Sequence, residues 1–173
     1  MSDVTSEFQS TVEEYDKTIW QLDKHRIPKS CTLLENSHPG KIVDIGCMGG
    51  RDMLPLVQKG WDRYGIEVSK AYRIAEQRGI KCIHEDVGKG IPFKDRFFDV
   101  VWAQEIIKHL SDTDFSLSEM RRVLKGEGIL IVSTPNSASL VNRVKLLAGF
   151  PPRYVQFGLR GPWSYTLLHA RSS

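Results

Sequence analysis

The chain lacks most of the signals by which a sequence announces its class. Its three cysteines, Cys31, Cys47 and Cys82, form no C-x-x-C pair and no metal-finger spacing. A zinc module and a disulfide-stapled scaffold are therefore not indicated, and reduced thiols in a cytoplasmic setting are expected. No apolar run approaches the roughly 20 residues that a membrane span needs. The opening stretch MSDVTSEFQSTVEEYDK is polar and acidic, unlike a signal peptide or a basic transit sequence. Lys and Arg exceed Asp and Glu by only 24 − 21 = 3. So small and evenly spread an excess argues for neither a nucleic-acid nor a membrane partner. Repeats and low-complexity linkers are missing, and so is the G-x-G-x-x-G of nicotinamide-dependent dehydrogenases.

What is present is an ordinary globular composition, 40% hydrophobic and 26% charged, in 173 residues. That length suits one domain, 1–173, with its core over 40–136 and a short extension over 137–173. Five apolar runs, each closed by Gly, Asp, Ser or Pro, recur at residues 41–46 (KIVDIG), 63–68 (RYGIEV), 80–84 (IKCIH), 97–103 (FFDVVWA) and 128–133 (GILIVS). They are rich in Ile and Val and alternate little, as strands buried on both faces do. Segments of helical length separate them at residues 51–59, 70–78 and 112–125. Strand alternating with helix predicts an α/β fold: a doubly wound, mostly parallel sheet with helices on both faces. Ahead of it, residues 8–25, within an N-terminal helix spanning 7–26, carry Val12, Tyr15, Ile19 and Leu22 at helical spacing. That helix either packs on the sheet edge or closes over a ligand. Residues 137–149 read as a further helix.

In an open α/β sheet, ligands bind beyond the carboxyl ends of the strands, where the strand order reverses. Several polar residues follow the runs. The first run leads through Asp44-Ile45-Gly46-Cys47-Met48-Gly49-Gly50 into a helix, a turn in which glycines bring backbone amides close to a ligand. Glu67 ends the second run, 21 positions after Gly46, where a carboxylate can accept hydrogen bonds from both hydroxyls of a ribose. Asp86 follows the third run, where an adenine amino group can donate to it. Gln104 follows the fourth.

With these residues in place the chain resembles the Rossmann-type (class I) S-adenosylmethionine (SAM)-dependent methyltransferases. VDIGCMGG resembles their glycine motif, and GIEVS, HEDVGKGIPFKDRFFDVVWAQEIIKHL and RRVLKGEGILIVSTPN resemble the later motifs in order and spacing. The similarity covers about residues 40–136 and is closest to the branch of ubiquinone-type O-methyltransferases and related small-molecule enzymes. It implies a Rossmann-like fold, SAM as cofactor and transfer of a methyl group to a small, hydroxylated or lipid-like acceptor. It also implies that Gly46, Cys47 and Gly50 surround the methionine part of SAM, with Asp44 and Met48 of the same turn among the cofactor-binding residues. Glu67 would hold the ribose, with Val68 beside it among the cofactor-binding residues, Asp86 with Val87 would frame the adenine, and Gln104 would lie near the sulfonium through its backbone. Tyr15 falls where the leading helix of the family closes over the cofactor.

Three departures from the pattern stand out. Met48 occupies a position that is usually Gly, which weakens SAM affinity if its side chain crowds the cofactor. Some similar quinone O-methyltransferases carry E-x-x-E-H after the fourth strand, with magnesium assigned to it. Here the stretch is Glu105-Ile106-Ile107-Lys108-His109, and a lysine cation does not ligate a hard metal. No metal is expected, and His109 is the candidate catalytic base, or else a histidine that packs at that turn. After Pro135, 173 − 135 = 38 residues remain, fewer than the family's usual closing section. Residues 153–159 and 164–170 form a short substitute hairpin, or else GPWSYTLL, residues 161–168, resembles the start of the family's next helical section, cut off early. An uncovered ILIVS edge then invites a homodimer. A catalytically inactive remnant or partner subunit is the alternative to an active enzyme.

Overall fold

The computed structural model describes residues 26–151. The expected helix over 8–25, the candidate hairpin segments 153–159 and 164–170, and Tyr15 lie outside the described residues. The chain divides into two compact units, one ending at Thr134 and the other beginning at Pro135.

The first unit is built on five parallel strands: β1 (Lys41–Ile45), β2 (Asp62–Ile66), β3 (Lys81–Ile83), β4 (Phe98–Gln104) and β5 (Leu124–Ser133). Their spatial order is β3-β2-β1-β4-β5, so the chain winds outward from β1 in one direction and then in the other. This is the doubly wound, Rossmann-like α/β fold expected from the strand–helix alternation. Both faces of the central strands β1 and β4 are buried. Ile42 of β1 and Val100 and Trp102 of β4 pack on one face with Ile27, Leu34, Met53 and Leu56. Val43 and Ile45, with Val101 and Ala103, pack on the other with Met120, Val123 and Val87. The period of two along each strand sends successive side chains to opposite cores, which is why these strands read as continuous apolar runs.

The helices follow from local chemistry. Helix α1 (Arg26–Thr32) carries Pro28 in its first turn, where no intrahelical N–H is needed, and buries Ile27, Ser30 and Cys31. Residues Arg51–Lys59, expected as a helix, wind as a 3-10 helix with Pro55 inside it, and Gly50 and Gly60 flank it at φ 75° and 77°. Of its apolar residues Met53 and Leu56 are buried, whereas Leu54 and Val57 face solvent. Helix α2 (Tyr72–Gln77) is short. Helix α3 (Thr113–Val123) is N-capped by Asp112, whose carboxylate accepts the Phe115 amide at 2.9 Å. Strand β5 begins at Leu124, earlier than the apolar run at 128–133 suggests, because Gly126 and Gly128 thin the hydrophobic pattern of its first half.

In the second unit, α4 (Leu140–Leu147) is capped by Ser139, whose hydroxyl accepts the Asn142 amide at 3.3 Å. Asn142 Nδ2 donates to the Asn136 carbonyl at 3.3 Å, tying the helix to the segment before it. Leu140, Leu147 and Phe150 are exposed.

Candidate functional site

Because every strand runs the same way, the residues after β1, β2, β3 and β4 gather at one end of the sheet. The order reverses between β1 and β4, which are neighbours there, and in open α/β sheets this is the position at which ligands bind.

The turn after β1 is fixed from within and from its neighbour. The Gly46 and Cys47 amides donate to the Ile66 carbonyl at 2.8 and 3.2 Å, and the Gly50 amide donates to the Cys47 carbonyl at 2.7 Å. Gly46 and Gly50 both sit at φ 75°, where an L side chain is strained. A Cβ on Gly50 would lie 2.2 Å from Ile80 Cδ1, and one on Gly46 2.7 Å from Ile106 Cδ1. Met48 adopts φ 47°, so the position favoured for glycine in the family does demand a left-handed backbone here. Arg78 Nη1 donates to the Gly49 carbonyl at 2.7 Å, anchoring the turn to the end of α2.

Glu67, directly after β2, is 5% exposed. One carboxylate oxygen accepts the Met48 amide at 2.9 Å and the other accepts the Ser69 amide at 2.7 Å. The two carboxylate oxygens offer about four acceptor positions, so both oxygens keep capacity for a further donor. Val68 is exposed, and its carbonyl meets His84 Nε2 at 2.7 Å. The His84 ring stacks on Tyr72 with centroids 4.6 Å apart, an aromatic wall beside the ends of β2 and β3. Asp86 accepts the Gly88 amide at 2.9 Å and so caps the turn Val87–Lys89. The Val87 side chain points into the core beneath it.

On the β4 side, Gln104 is buried at the strand end. Its Oε1 accepts from the Arg26 guanidinium and, at 3.4 Å, from the Ser133 hydroxyl. Arg26 Nη2 reaches Asp52 Oδ2 at 3.1 Å, and Arg51 Nη2 reaches the other oxygen of Asp52 at 3.0 Å. Arg26 thus ties α1 to the end of β4 and to the first turn after the glycine segment. Asp44 is fully enclosed nearby: burial first, and then the negative charge of Asp52, push its carboxyl well above the usual range, against the pull of Arg26. A buried carboxyl so placed favours a neutral form or a cation beside it.

Glu105 follows at φ 58°, its amide donating to the Ser133 carbonyl at 3.0 Å. Lys108 Nζ lies 3.2 Å from Glu105 Oε2, so the carboxylate is paired with a cation of the chain itself. His109 closes the same short turn. Desolvation and then the Lys108 charge hold its imidazole below its usual range, which keeps it neutral and able to accept a proton. Among the described residues, no group of three His, Cys, Asp or Glu is arranged to hold a metal ion. No described helix is long and apolar enough to cross a membrane.

The structure thus gathers Asp44, the Gly46–Gly50 turn, Glu67, Asp86 and Gln104 at one end of the sheet. Arg26, Asp52, Ser69 and the Tyr72–His84 pair join them unanticipated. Arg26 belonged to a segment read only for its apolar spacing, and its charge at the end of that segment was the available signal.

Residues 43–132 match the methyltransferase domain family. The chain belongs to it. Among its relatives, a ubiquinone biosynthesis O-methyltransferase of Pelagibacter ubique is 32% identical over 101 residues, 56% of this chain and 42% of that protein. The chain therefore spans less than half the length of that relative. A protein of Methanocaldococcus jannaschii is 32% identical over 140 residues, covering 79% of this chain and 65% of its own. A SAM-dependent methyltransferase of Thermotoga maritima, known from its crystal structure, superposes with a TM-score of 0.62 at 26% identity, covering 81% of this chain and 66% of that one.

Proposed function

We propose that the chain binds S-adenosylmethionine in the crevice between β1 and β4 and transfers its methyl group to a small-molecule acceptor, hydroxylated or lipid-like. The observation that carries this reading is the Glu67 carboxylate, buried at the end of β2 and hydrogen-bonded to the glycine turn, with capacity left on both oxygens.

The residues present fit the cofactor. Gly46 and Gly50 have no room for a side chain, because Ile106 packs against the one and Ile80 with Ala75 against the other, so the turn keeps its backbone bare. Glu67 has the chemistry for a ribose diol, and Asp86 keeps one carboxylate oxygen outside its cap for an adenine amino group. Asp44 is a buried carboxyl that gains from the positive charge of an amino acid portion. Cys47, Met48, Val68, Val87 and Gln104 complete the lining by their places on the same strand ends.

The sulfonium supplies an already reactive methyl group, so alignment and proximity are the chain's main contribution. Glu67 and the turn hold position, and His109, neutral at physiological pH, takes the proton of a hydroxyl nucleophile. The relationship to ubiquinone biosynthesis O-methyltransferases supports an oxygen acceptor. A cytoplasmic location and a homodimer belong to the same reading. The dimer is supported by Leu130 and Val132 on β5, 37% and 41% exposed on a strand that pairs with β4 alone among the described strands.

Calorimetric titration of the purified protein with SAM and with S-adenosylhomocysteine tests the reading. Micromolar binding is expected, and tighter binding by Met48→Gly if the methionine crowds the site. A well-folded sample that binds neither compound would leave an inherited, non-catalytic scaffold as the better account.

A further inference from the structure

The two cysteines nearest the cofactor turn face each other. Cys47 Sγ and Cys82 Sγ lie 3.2 Å apart, although one follows β1 and the other lies on β3, with β2 between them. The contact exists because of Gly65. That residue is the register partner of Cys82 on β2, and a Cβ there would lie 2.6 Å from Cys47 Sγ and 2.9 Å from Cys82 Sγ. Any other residue at position 65 would occupy the space in which the sulfurs meet. Both cysteines are free thiols in this structure; Cys47 is buried and Cys82 half-buried.

We propose that Cys47 and Cys82 are a redox modification site, closing reversibly to a disulfide that shifts the cofactor turn. With a peroxide as oxidant the atoms balance in two steps. The Cys82 sulfur, the more accessible of the two, attacks one peroxide oxygen; the O–O bond breaks, water leaves, and Cys82 becomes a sulfenic acid. The Cys47 sulfur then attacks the Cys82 sulfur, the S–O bond breaks, and a second water carries away the Cys47 proton. Two thiols lose two electrons and one peroxide gains them. A disulfide-class oxidant such as oxidised glutathione reaches the same product by thiol exchange.

The consequence follows from distance. A disulfide bond is about 2.05 Å long, so the sulfurs must approach by more than an ångström from 3.2 Å. Cys47 sits within the Gly46–Gly50 turn, next to Met48, whose amide is bonded to Glu67. Closure draws that turn toward β3 and away from the geometry that the cofactor reading requires. The effect on affinity rests on that reading; formation of the bond does not.

The test uses the full chain, purified reduced and then treated with hydrogen peroxide or oxidised glutathione. Intact mass, peptide mapping and SAM titration are read on each sample. Expected are a loss of about two mass units, a Cys47–Cys82 linked peptide, and at least tenfold weaker SAM binding restored by dithiothreitol. Cys82→Ser should keep its affinity under the same treatment, and Cys31→Ser should still form the link. An unchanged mass, linkage through Cys31, or irreversible oxygen addition without a link would each overturn the proposal, as would a link that leaves affinity unaltered. If the reduced protein binds no SAM, the linked peptide still decides the redox site, and the cofactor reading alone falls.

Discussion

The Glu67 carboxylate accepts the backbone amide of Met48 at 2.9 Å and thereby holds a methionine at φ 47°. A non-glycine residue in this region costs on the order of 1–2 kcal/mol, so the bond compensates for a conformation that glycine would adopt freely. Glu67 therefore connects the end of β2 to the turn after β1, besides carrying the proposed ribose contact. Glu67→Gln keeps one acceptor oxygen and loses the charge. Charged hydrogen bonds contribute about 1.5–3 kcal/mol, so SAM affinity should fall roughly 10- to 100-fold, with a lower melting temperature in the absence of ligand. Calorimetry and thermal denaturation on the same samples separate the two effects.

Asp44 gives a prediction of opposite sign for stability and for binding. Its folded carboxyl lies well above the unfolded aspartate value of about 3.9. Between those values the native state keeps a proton that the unfolded chain releases, so folding stability falls as pH rises through that window. Asp44→Asn removes the titration. The variant should be more stable than the parent at neutral pH, by on the order of 1 kcal/mol or ~2–4 °C in Tm for a chain of this size, and the advantage should vanish near pH 4. SAM binding should weaken, because the carboxylate that would face a cation is gone. A melting-temperature difference independent of pH would refute the buried titration.

How much of this was legible in the sequence depended on which residues the backbone alone could place. Ile42, Val43 and Ile45 divide between two apolar cores, so β1 reads as an apolar run in which Asp44 stands out near the end and which Gly46 closes. Glu67 and Asp86 were found in the same way, from their position after a strand. What the sequence concealed were contacts between distant segments. Arg26 meets Gln104 and Asp52 across 78 and 26 positions, and no local period records that. Cys47 and Cys82, 35 positions apart, meet only because Gly65 vacates the space between them, and spacing rules for cysteine have no term for an intervening glycine. The first half of β5 was hidden because Gly126 and Gly128 interrupt its apolar pattern.

Arg26 should act through what it joins. Its planar fork reaches Gln104 and Asp52 at once, a geometry that a lysine ammonium cannot reproduce. Arg26→Lys is expected to destabilise the fold by about 1–3 kcal/mol, since buried partners are left with unmet hydrogen bonds. Hydrogen exchange should show faster opening at the end of β4. Unchanged exchange there would mean that the bridge is not what holds Gln104.

His109 offers a test of the proton step. Desolvation and the Lys108 charge hold its imidazole below the usual value of about 6.5. Methyl transfer to a hydroxylated acceptor should therefore already be at its plateau at pH 7 and decline only as pH falls below about 6.5. His109→Gln should lower kcat by roughly 10²- to 10⁴-fold, the range of general-base catalysis, with SAM affinity unaltered. A variant whose kcat equals the parent's would leave His109 a packing residue of its turn.

Arg122 is the hub that holds α3 against the loop before β4. Its guanidinium donates to the Ile91 and Phe93 carbonyls, each at 2.8 Å, to Asp95 at 2.8 Å, and to both oxygens of Glu119 at 2.7 Å. Glu119 also accepts the Ile91 amide at 2.8 Å. The Arg122 hydrogen bonds, assisted by that amide and opposed by desolvation, lower the Glu119 carboxyl to about 2. Above the unfolded glutamate value of about 4.3 the stabilisation is complete; it is lost as pH falls from there toward 2, because the unfolded chain takes up the proton first. Arg122→Ala should cost about 2–3 kcal/mol at pH 7, since carbonyls and a carboxylate lose their donor together. The difference between variant and parent should shrink between pH 4.3 and 2, as Glu119 becomes protonated in both. Urea denaturation at several pH values measures it directly. A difference that stays constant across that range would show that Arg122 acts through the two carbonyls rather than through Glu119, since the carbonyl bonds do not titrate.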